Sequence, residues 1–386
     1  MSLESLLSRA LTGAKLDRTD LIRLLEPRDQ GEREAVRAAA REARSRVTGQ
    51  AVFTYGFVYL STYCRNDCRF CAYRRTNPEA LRYRKSPAEV LDASVRLAGQ
   101  GVNLIDLTMG EDPAADRPEF VAEMADLVRK VKEAVSLPVM ISPGVAKPEA
   151  LKAYRRAGAD WYACYQETHS PELFDRLRHK QNYDLRWQSK VEAMRAGLLV
   201  EEGVLCGVGE SSGDLADSIS AMADLGARQV RAMGFVPPTE AETDAEGRWV
   251  SAPGSQAQQR EVDMISVLRL ALPEALIPAS LDVEGLAGLK VRLEAGANLI
   301  TSLVPADLDF AGVAQASLDI DNQARSVEGV RPVVEECGLR LASADEYRAW
   351  LDRAYQKIEG DRSIFSDVAG GSASASQLSK NSGGAA

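Results

Sequence analysis

The chain has 386 residues with 47 basic against 56 acidic side chains, a formal net charge of −9. That balance argues against non-specific binding to nucleic acid or to anionic membranes, and no run of about 18 apolar residues offers a membrane span. The N-terminus "MSLESLLSRALTGAK" lacks the continuous apolar stretch of a signal peptide, so a reducing cytoplasm is expected, where six cysteines serve metal or redox chemistry rather than disulfides.

Residues 1–48 are predicted as a helical extension. "LESLLSRAL" and "DRTDLIRLLE" carry apolar residues at helical spacing, and Asp17 or Thr19 is placed to cap the second. "GEREAVRAAAREARSRV" reads as a third helix, stopped by Gly49; its arginines alternate with glutamates, which predicts a solvated face rather than a nucleic-acid surface. From Ala51 the pattern changes. Eight short apolar runs follow: "AVFTYGFVYLS", "VNLIDLTMG", "LPVMISPG", "ADWYACYQE", "LLVEEGVLCGVG", "RQVRAMGF", "ALIPASLDV" and "NLITSLVP". Amphipathic segments such as "SPAEVLDASVRLAGQG" and "DLADSISAMADLGA" lie between them, several stopped by a glycine (Gly101, Gly158, Gly226, Gly296). Strands alternating with helices require a parallel sheet. Eight of them predict an α/β protein with a closed (β/α)8 TIM-type barrel and C-terminal helices over 49–360. An open doubly wound sheet is the alternative, but its glycine-rich turn after the first strand is replaced here by cysteines. The small polar stretch 361–386 is predicted to be disordered.

The cysteines in "YLSTYCRNDCRFCAYRR" are Cys64, Cys68 and Cys71, a C-x3-C-x2-C spacing directly after the first barrel strand. Three thiols are one short of a closed zinc site and an odd number for disulfides. They match an iron–sulfur cube held at three corners with one iron left open. Phe70 is placed to shield one side of such a cluster. Cys164, Cys206 and Cys337 are far apart and predict no second cluster; the first two lie in apolar strands, as structural thiols do. His169 and His179, the only histidines, are too few for an imidazole metal site and are read as structural.

This cysteine pattern resembles that of the radical S-adenosylmethionine (SAM) superfamily. The resemblance implies a [4Fe–4S] cluster on Cys64, Cys68 and Cys71, SAM chelated to the open iron through its amino and carboxylate groups, and release of a 5′-deoxyadenosyl radical on one-electron reduction. It also implies cofactor-binding positions. "TMGED" stands where the family has its Gly-Gly-Glu element, which assigns Met109, Gly110 and Glu111. Glu167 and Arg186 resemble the pair that holds the ribose and the methionine carboxylate; Arg178 is a weaker candidate, read as surface. "GVLCGVGE" resembles the adenine-supporting element and assigns Gly207 and Glu210. Ser142, in "ISPG", is a further candidate.

Within the superfamily the barrel resembles the biotin synthase-like group. Val200 and Met140 fall where a second, sulfur-donating cluster would need ligands, and neither supplies a thiolate. At the predicted strand ends stand Asp112, Arg231, Ser280 and Asp282; the last two are two residues apart and share one strand face. One guanidinium and two carboxylates complement a molecule with one carboxylate and two ammonium groups, such as L-lysine. The bland alternative is that Arg231 pairs with one of the aspartates and nothing binds. These positions resemble those of the methylornithine synthases of pyrrolysine biosynthesis. That resemblance implies isomerisation of L-lysine to (3R)-3-methyl-D-ornithine, with a flavodoxin- or ferredoxin-type electron donor. A radical SAM enzyme acting on another amino acid and a non-catalytic iron–sulfur protein remain as alternatives.

Overall fold

The computed structural model describes residues 2–236, 254–305 and 324–366. It opens with three helices, α1 (Leu3–Leu11), α2 (Arg18–Leu25) and α3 (Gln30–Thr48). Asp17, not Thr19, caps α2: its carboxylate accepts from the Asp20 amide while the Asp20 side chain accepts from the Asp17 amide. α3 stops at Gly49, whose φ of 58° suits glycine. The prediction of a solvated α3 face is corrected at Arg44. Arg44 is buried and reaches the carbonyls of Leu293 and, at 3.3 Å, Ala297, while Arg41 reaches that of Glu294 at 3.0 Å. Guanidinium groups there satisfy the orphan carbonyls at the end of helix Leu289–Glu294.

Eight parallel strands follow: β1 (Ala51–Ser61), β2 (Leu104–Met109), β3 (Val139–Ser142), β4 (Trp161–Ala163), β5 (Leu199–Cys206), β6 (Gln229–Gly234), β7 (Pro278–Ser280) and β8 (Leu299–Leu303). Their order is β6-β5-β4-β3-β2-β1-β8-β7. The ring closes between β6 and β7 through one parallel bridge, Gln229 to Leu276, with Val230 N–H donating to Leu276 O at 2.9 Å. The architecture is thus a (β/α)8 barrel, each strand lying inside one of the apolar runs. The connecting helices carry the expected signals. Ser86 and Glu89 form a capping box ahead of Pro87–Gln100, which ends at Gly101 in a left-handed conformation (φ 90°). A short ninth strand, β9 (Arg340–Leu341), pairs with the start of β1.

Alternate residues of each strand face into the barrel. Its lower layer is apolar: Phe53, Leu104, Met140, Trp161, Leu199 and Leu299 pack with Tyr347, Trp350 and Leu351 of the C-terminal helix Ala344–Ser366. Trp350 stacks on Trp161 at 5.9 Å and 8°. The helix therefore plugs the N-terminal end of the barrel. It runs past residue 360 to Ser366, into the stretch predicted to be disordered; the rest of that stretch lies outside the described residues. Two residues further along the strands the inward layer becomes polar, with Tyr55, Asp106, Glu201, Arg231 and Thr301.

Candidate active site

The C-terminal ends of the strands enclose a cavity of about 230 Å³. Cys64, Cys68, Phe70, Cys71, Met109, Gly110, Glu111, Ser142, Glu167 and Arg186 all line it. The cysteine loop is seated on the end of β2. Gly110 N–H donates to Ser61 O at 2.8 Å, and Arg65 N–H to Glu111 O at 2.9 Å. A Cβ at position 110 would stand 2.4 Å from Tyr63 O and 3.1 Å from Cys64 Cβ. Glycine is required there because the cysteine loop runs against its backbone.

Glu111 joins three strand ends. Its carboxylate accepts from Asn66 Nδ2 (2.9 Å) in the cysteine loop, from Val145 N–H (3.2 Å) after β3, and from Arg186 Nη2 (3.1 Å). Arg186 is buried and also donates to Cys164 Sγ at 2.9 Å. Cys164 is therefore a hydrogen-bond acceptor beneath the site as well as a packing residue. Glu167 pairs not with Arg186 but with Arg178, at 2.9 Å. The surface reading of Arg178 is corrected: it is buried, lies over the Phe70 ring at 5.2 Å and approaches Cys68 Sγ at 3.5 Å. Gln181 donates to the same sulfur at 2.9 Å.

Glu167 has φ 69°, an uncommon conformation for a non-glycine residue. Two backbone bonds fix it there, Glu167 N–H to Gly203 O at 3.0 Å and Leu205 N–H to Glu167 O at 2.9 Å. Beneath it lies a fully buried ion pair, Lys190 with Glu202. Glu202 also accepts from the Gln166 amide at 2.7 Å, and Lys190 donates to the Gln166 side chain at 2.9 Å. His169 borders this pair, and burial pulls its imidazole down to about 4, consistent with a structural role.

Burial raises the Cys64 thiol, and burial together with the nearby Cys68 pushes Cys71 up to about 12. Buried thiols such as those of Cys64 and Cys71 ionise readily only against a strong positive charge, which the irons of a cluster bring with them. The donor set thus fits a three-cysteine cluster. Among the described residues no three metal-ligating side chains surround a single point, and a cube needs no such convergence, because each cysteine ligates its own iron.

Other predicted positions lie off this cavity. Glu210 folds its own loop: it accepts from the amides of Gly207 (2.9 Å) and Val208 (2.8 Å) and is held by Arg260 Nε at 2.7 Å. Gly207, at φ 84°, is needed because a Cβ would lie 2.4 Å from Ala257 Cβ. Asp112 is fully buried, gripped by Arg84 at 2.8 and 3.0 Å and by Ser61 at 2.7 Å. Arg231 pairs with Glu201 at 2.9 Å, and also reaches Thr301 (3.1 Å) and Tyr55. Asp282 pairs with Arg325 at 3.1 Å and accepts from Ser302 (2.7 Å) and Ser280 (3.4 Å). Arg231 thus pairs with neither aspartate, and each of the three charges has a countercharge from the chain itself. Sequence reasoning missed Asp106, Glu201 and Gln181. For the first two a signal exists: acids inside otherwise apolar, doubly buried strands.

The radical SAM superfamily pattern matches residues 58–221. The chain is 38% identical over 350 residues to a 3-methylornithine synthase of Methanosarcina barkeri, covering 90% of this chain and 97% of that protein. It belongs to the radical SAM superfamily, in the 3-methylornithine synthase family. A second relative of that name, from Methanosarcina acetivorans, is 36% identical over 344 residues, covering 89% and 95% of the two chains. A crystal structure of a methylornithine synthase superposes with a TM-score of 0.81 at 37% identity, covering 89% of this chain and 99% of that one. The protein is a radical SAM isomerase that uses a [4Fe–4S] cluster and SAM and acts on a small molecule. None of its described helices is long and apolar enough to cross a membrane.

Proposed function

We propose that this enzyme converts L-lysine to (3R)-3-methyl-D-ornithine, taking its electron from a flavodoxin- or ferredoxin-type donor. The observation that carries the reading is the 38% identity, over nearly the full length of both chains, to a protein named 3-methylornithine synthase. Cys64, Cys68 and Cys71 would hold the cluster, and Glu167, Arg186 and the Met109–Glu111 backbone would hold SAM. When bound, these cofactors supply a carbon-centred radical at the 5′ position of adenosine.

The chain's own task is to bind, orient and seal. The cavity walls exclude water from a reaction whose carbon fragments must recombine. Gln181 and Arg178 turn donors toward Cys68 Sγ, contacts that orient this sulfur as a ligand. Arg231, Asp112, Ser280 and Asp282 are assigned to the substrate's charged groups, for which they would exchange part of their present pairing. Reconstituted protein incubated with lysine, SAM and dithionite tests the reaction. Chromatography with mass spectrometry should find a product of lysine's own mass at a new retention time. Lysine recovered unchanged, with SAM cleaved, would refute it.

A further inference from the structure

The segment that carries the cysteines is charged out of keeping with the rest of the chain. Between Tyr63 and Lys85 it holds seven basic residues against two acidic ones, Asp67 and Glu79, in a protein whose net charge is −9. Part of that charge is used within the fold. Arg65 pairs with Asp116 and, at 3.5 Å, with Glu111, and Arg84 pairs with Asp112 at 2.8 Å. Arg82 donates to three carbonyls, those of Thr62, Tyr73 (2.9 Å) and Arg74 (2.7 Å). It thereby pins the loop without meeting an acid among the described residues.

Arg69 and Arg75 are different. Both are exposed, and neither side chain has an ion pair or a hydrogen bond among the described residues. Several exposed arginines elsewhere take an acid on their own helix: Arg96 takes Asp92, Arg129 takes Asp126 and Glu133, and Arg348 takes Asp345. The backbone beneath the two is fixed. Arg69 N–H donates to Leu177 O at 3.0 Å and Arg75 N–H to Asn66 O at 2.8 Å. Arg69 lies between Cys68 and Cys71, and Arg75 follows Cys71 by four residues, so unspent positive charge sits on the cysteine loop itself. Apolar surface accompanies it. Of the four large apolar side chains exposed among the described residues, two belong to this segment: Leu81, 70% exposed, and Tyr63, whose ring lies under the Arg84 guanidinium at 4.3 Å. A pinned basic surface with a small apolar spot suits a brief encounter with an acidic protein, because charge steers the approach while the contact stays small.

We propose that the outer face of the segment 63–85, centred on Arg69 and Arg75, is the docking surface for the electron donor, an acidic one-electron carrier protein. The carrier's reduced prosthetic group loses one electron, and the enzyme gains it through the loop whose thiols are assigned to the cluster. The proposal rests on the reading of the donor as flavodoxin- or ferredoxin-type and is independent of the identity of the substrate.

The test measures binding of two probes, a flavodoxin and a ferredoxin each of net negative charge, to the reconstituted holoenzyme by calorimetry, without turnover. The parent should bind at least one of them at low ionic strength and lose affinity as salt rises from about 0.02 to about 0.3 M, because exposed charges are screened beyond a Debye length. The double variant Arg69→Glu, Arg75→Glu should weaken that binding by about tenfold or more. The double variant Arg69→Lys, Arg75→Lys, which keeps the charge, should bind as the parent does, and so should Arg348→Glu at the other end of the barrel. Iron content and dithionite-supported SAM cleavage should match the parent's in the charge-reversed enzyme, so that lost binding reports the surface and not the fold. Where the double reversal loses iron, Arg75→Glu alone is read in the same way. A charge-reversed enzyme that keeps its iron and binds the carrier as the parent does overturns the docking surface, while reduction of both enzymes by that carrier leaves the donor reading standing. A parent that neither binds nor is reduced by either carrier, yet cleaves SAM with dithionite, overturns the donor reading and the surface together. An RNA oligonucleotide bound as tightly through the same two arginines would mark a general polyanion surface and overturn the assignment to a carrier protein.

Discussion

At its N-terminal end the barrel is filled by Tyr347, Trp350 and Leu351, all buried against Trp161 and its apolar neighbours. At the other end the same strands carry Asp106, Glu111, Glu167 and three thiols around open space. The lower layer gains from every atom it hides from water. The upper layer spends part of that gain on groups that burial disfavours, and several of them are completed by a partner within the chain. Stability and chemistry are therefore separated along one axis, one pleat apart on each strand.

The comparison breaks most sharply at the cysteines. Replacing Cys64, Cys68 and Cys71 together by alanine should abolish the iron chromophore after anaerobic reconstitution while leaving the thermal midpoint of the apoprotein near that of the parent; a triple variant that keeps about four irons per chain would remove the ligand assignment. Trp350→Ala should do the reverse. Losing its stack on Trp161 should cost about 3–5 kcal/mol in denaturant unfolding, with iron per folded molecule unchanged. Arg186→Ala should weaken SAM binding by about 10- to 100-fold, equivalent to about 1.5–3 kcal/mol, measured by calorimetry on the reconstituted protein; unchanged affinity would take Arg186 out of the SAM site. The last effect is read as a dependence on pH. Because the Asp106 carboxyl is raised to about 7, the folded state keeps a proton that the unfolded chain releases near its ordinary value. Stability from this group is therefore full at low pH and falls as pH climbs from about 4 to about 7. Asp106→Asn should remove that component of the slope in unfolding experiments; an identical slope would show that the group titrates normally.

The eight strands were readable because parallel strands covered on both faces appear as continuous apolar runs. The cluster cysteines were readable because their chemistry is compressed into one loop. Closure of the ring was predicted from the count of eight strands, but not its manner, since β6 and β7 meet through a single bridge outside β7 itself, and β9 is too short to leave a pattern. Side-chain partners were the least readable. Arg178 and Arg186 stand eight positions apart in the chain, with long side chains, and only the fold decides that the first meets Glu167 and the second Glu111. Likewise the charges of Arg231, Asp112 and Asp282 were visible, while the countercharges Glu201, Arg84 and Arg325 come from distant positions.

The central claim is that charge selects the substrate at this mouth. It is tested most directly by measuring 5′-deoxyadenosine release from the reconstituted enzyme with lysine, with norleucine, which lacks the side-chain amine, and with cadaverine, which lacks the carboxylate. A missing charge leaves its partner buried and unpaired, so the penalty exceeds one lost contact. Lysine alone should stimulate release. Norleucine stimulating release as well as lysine does would contradict the account.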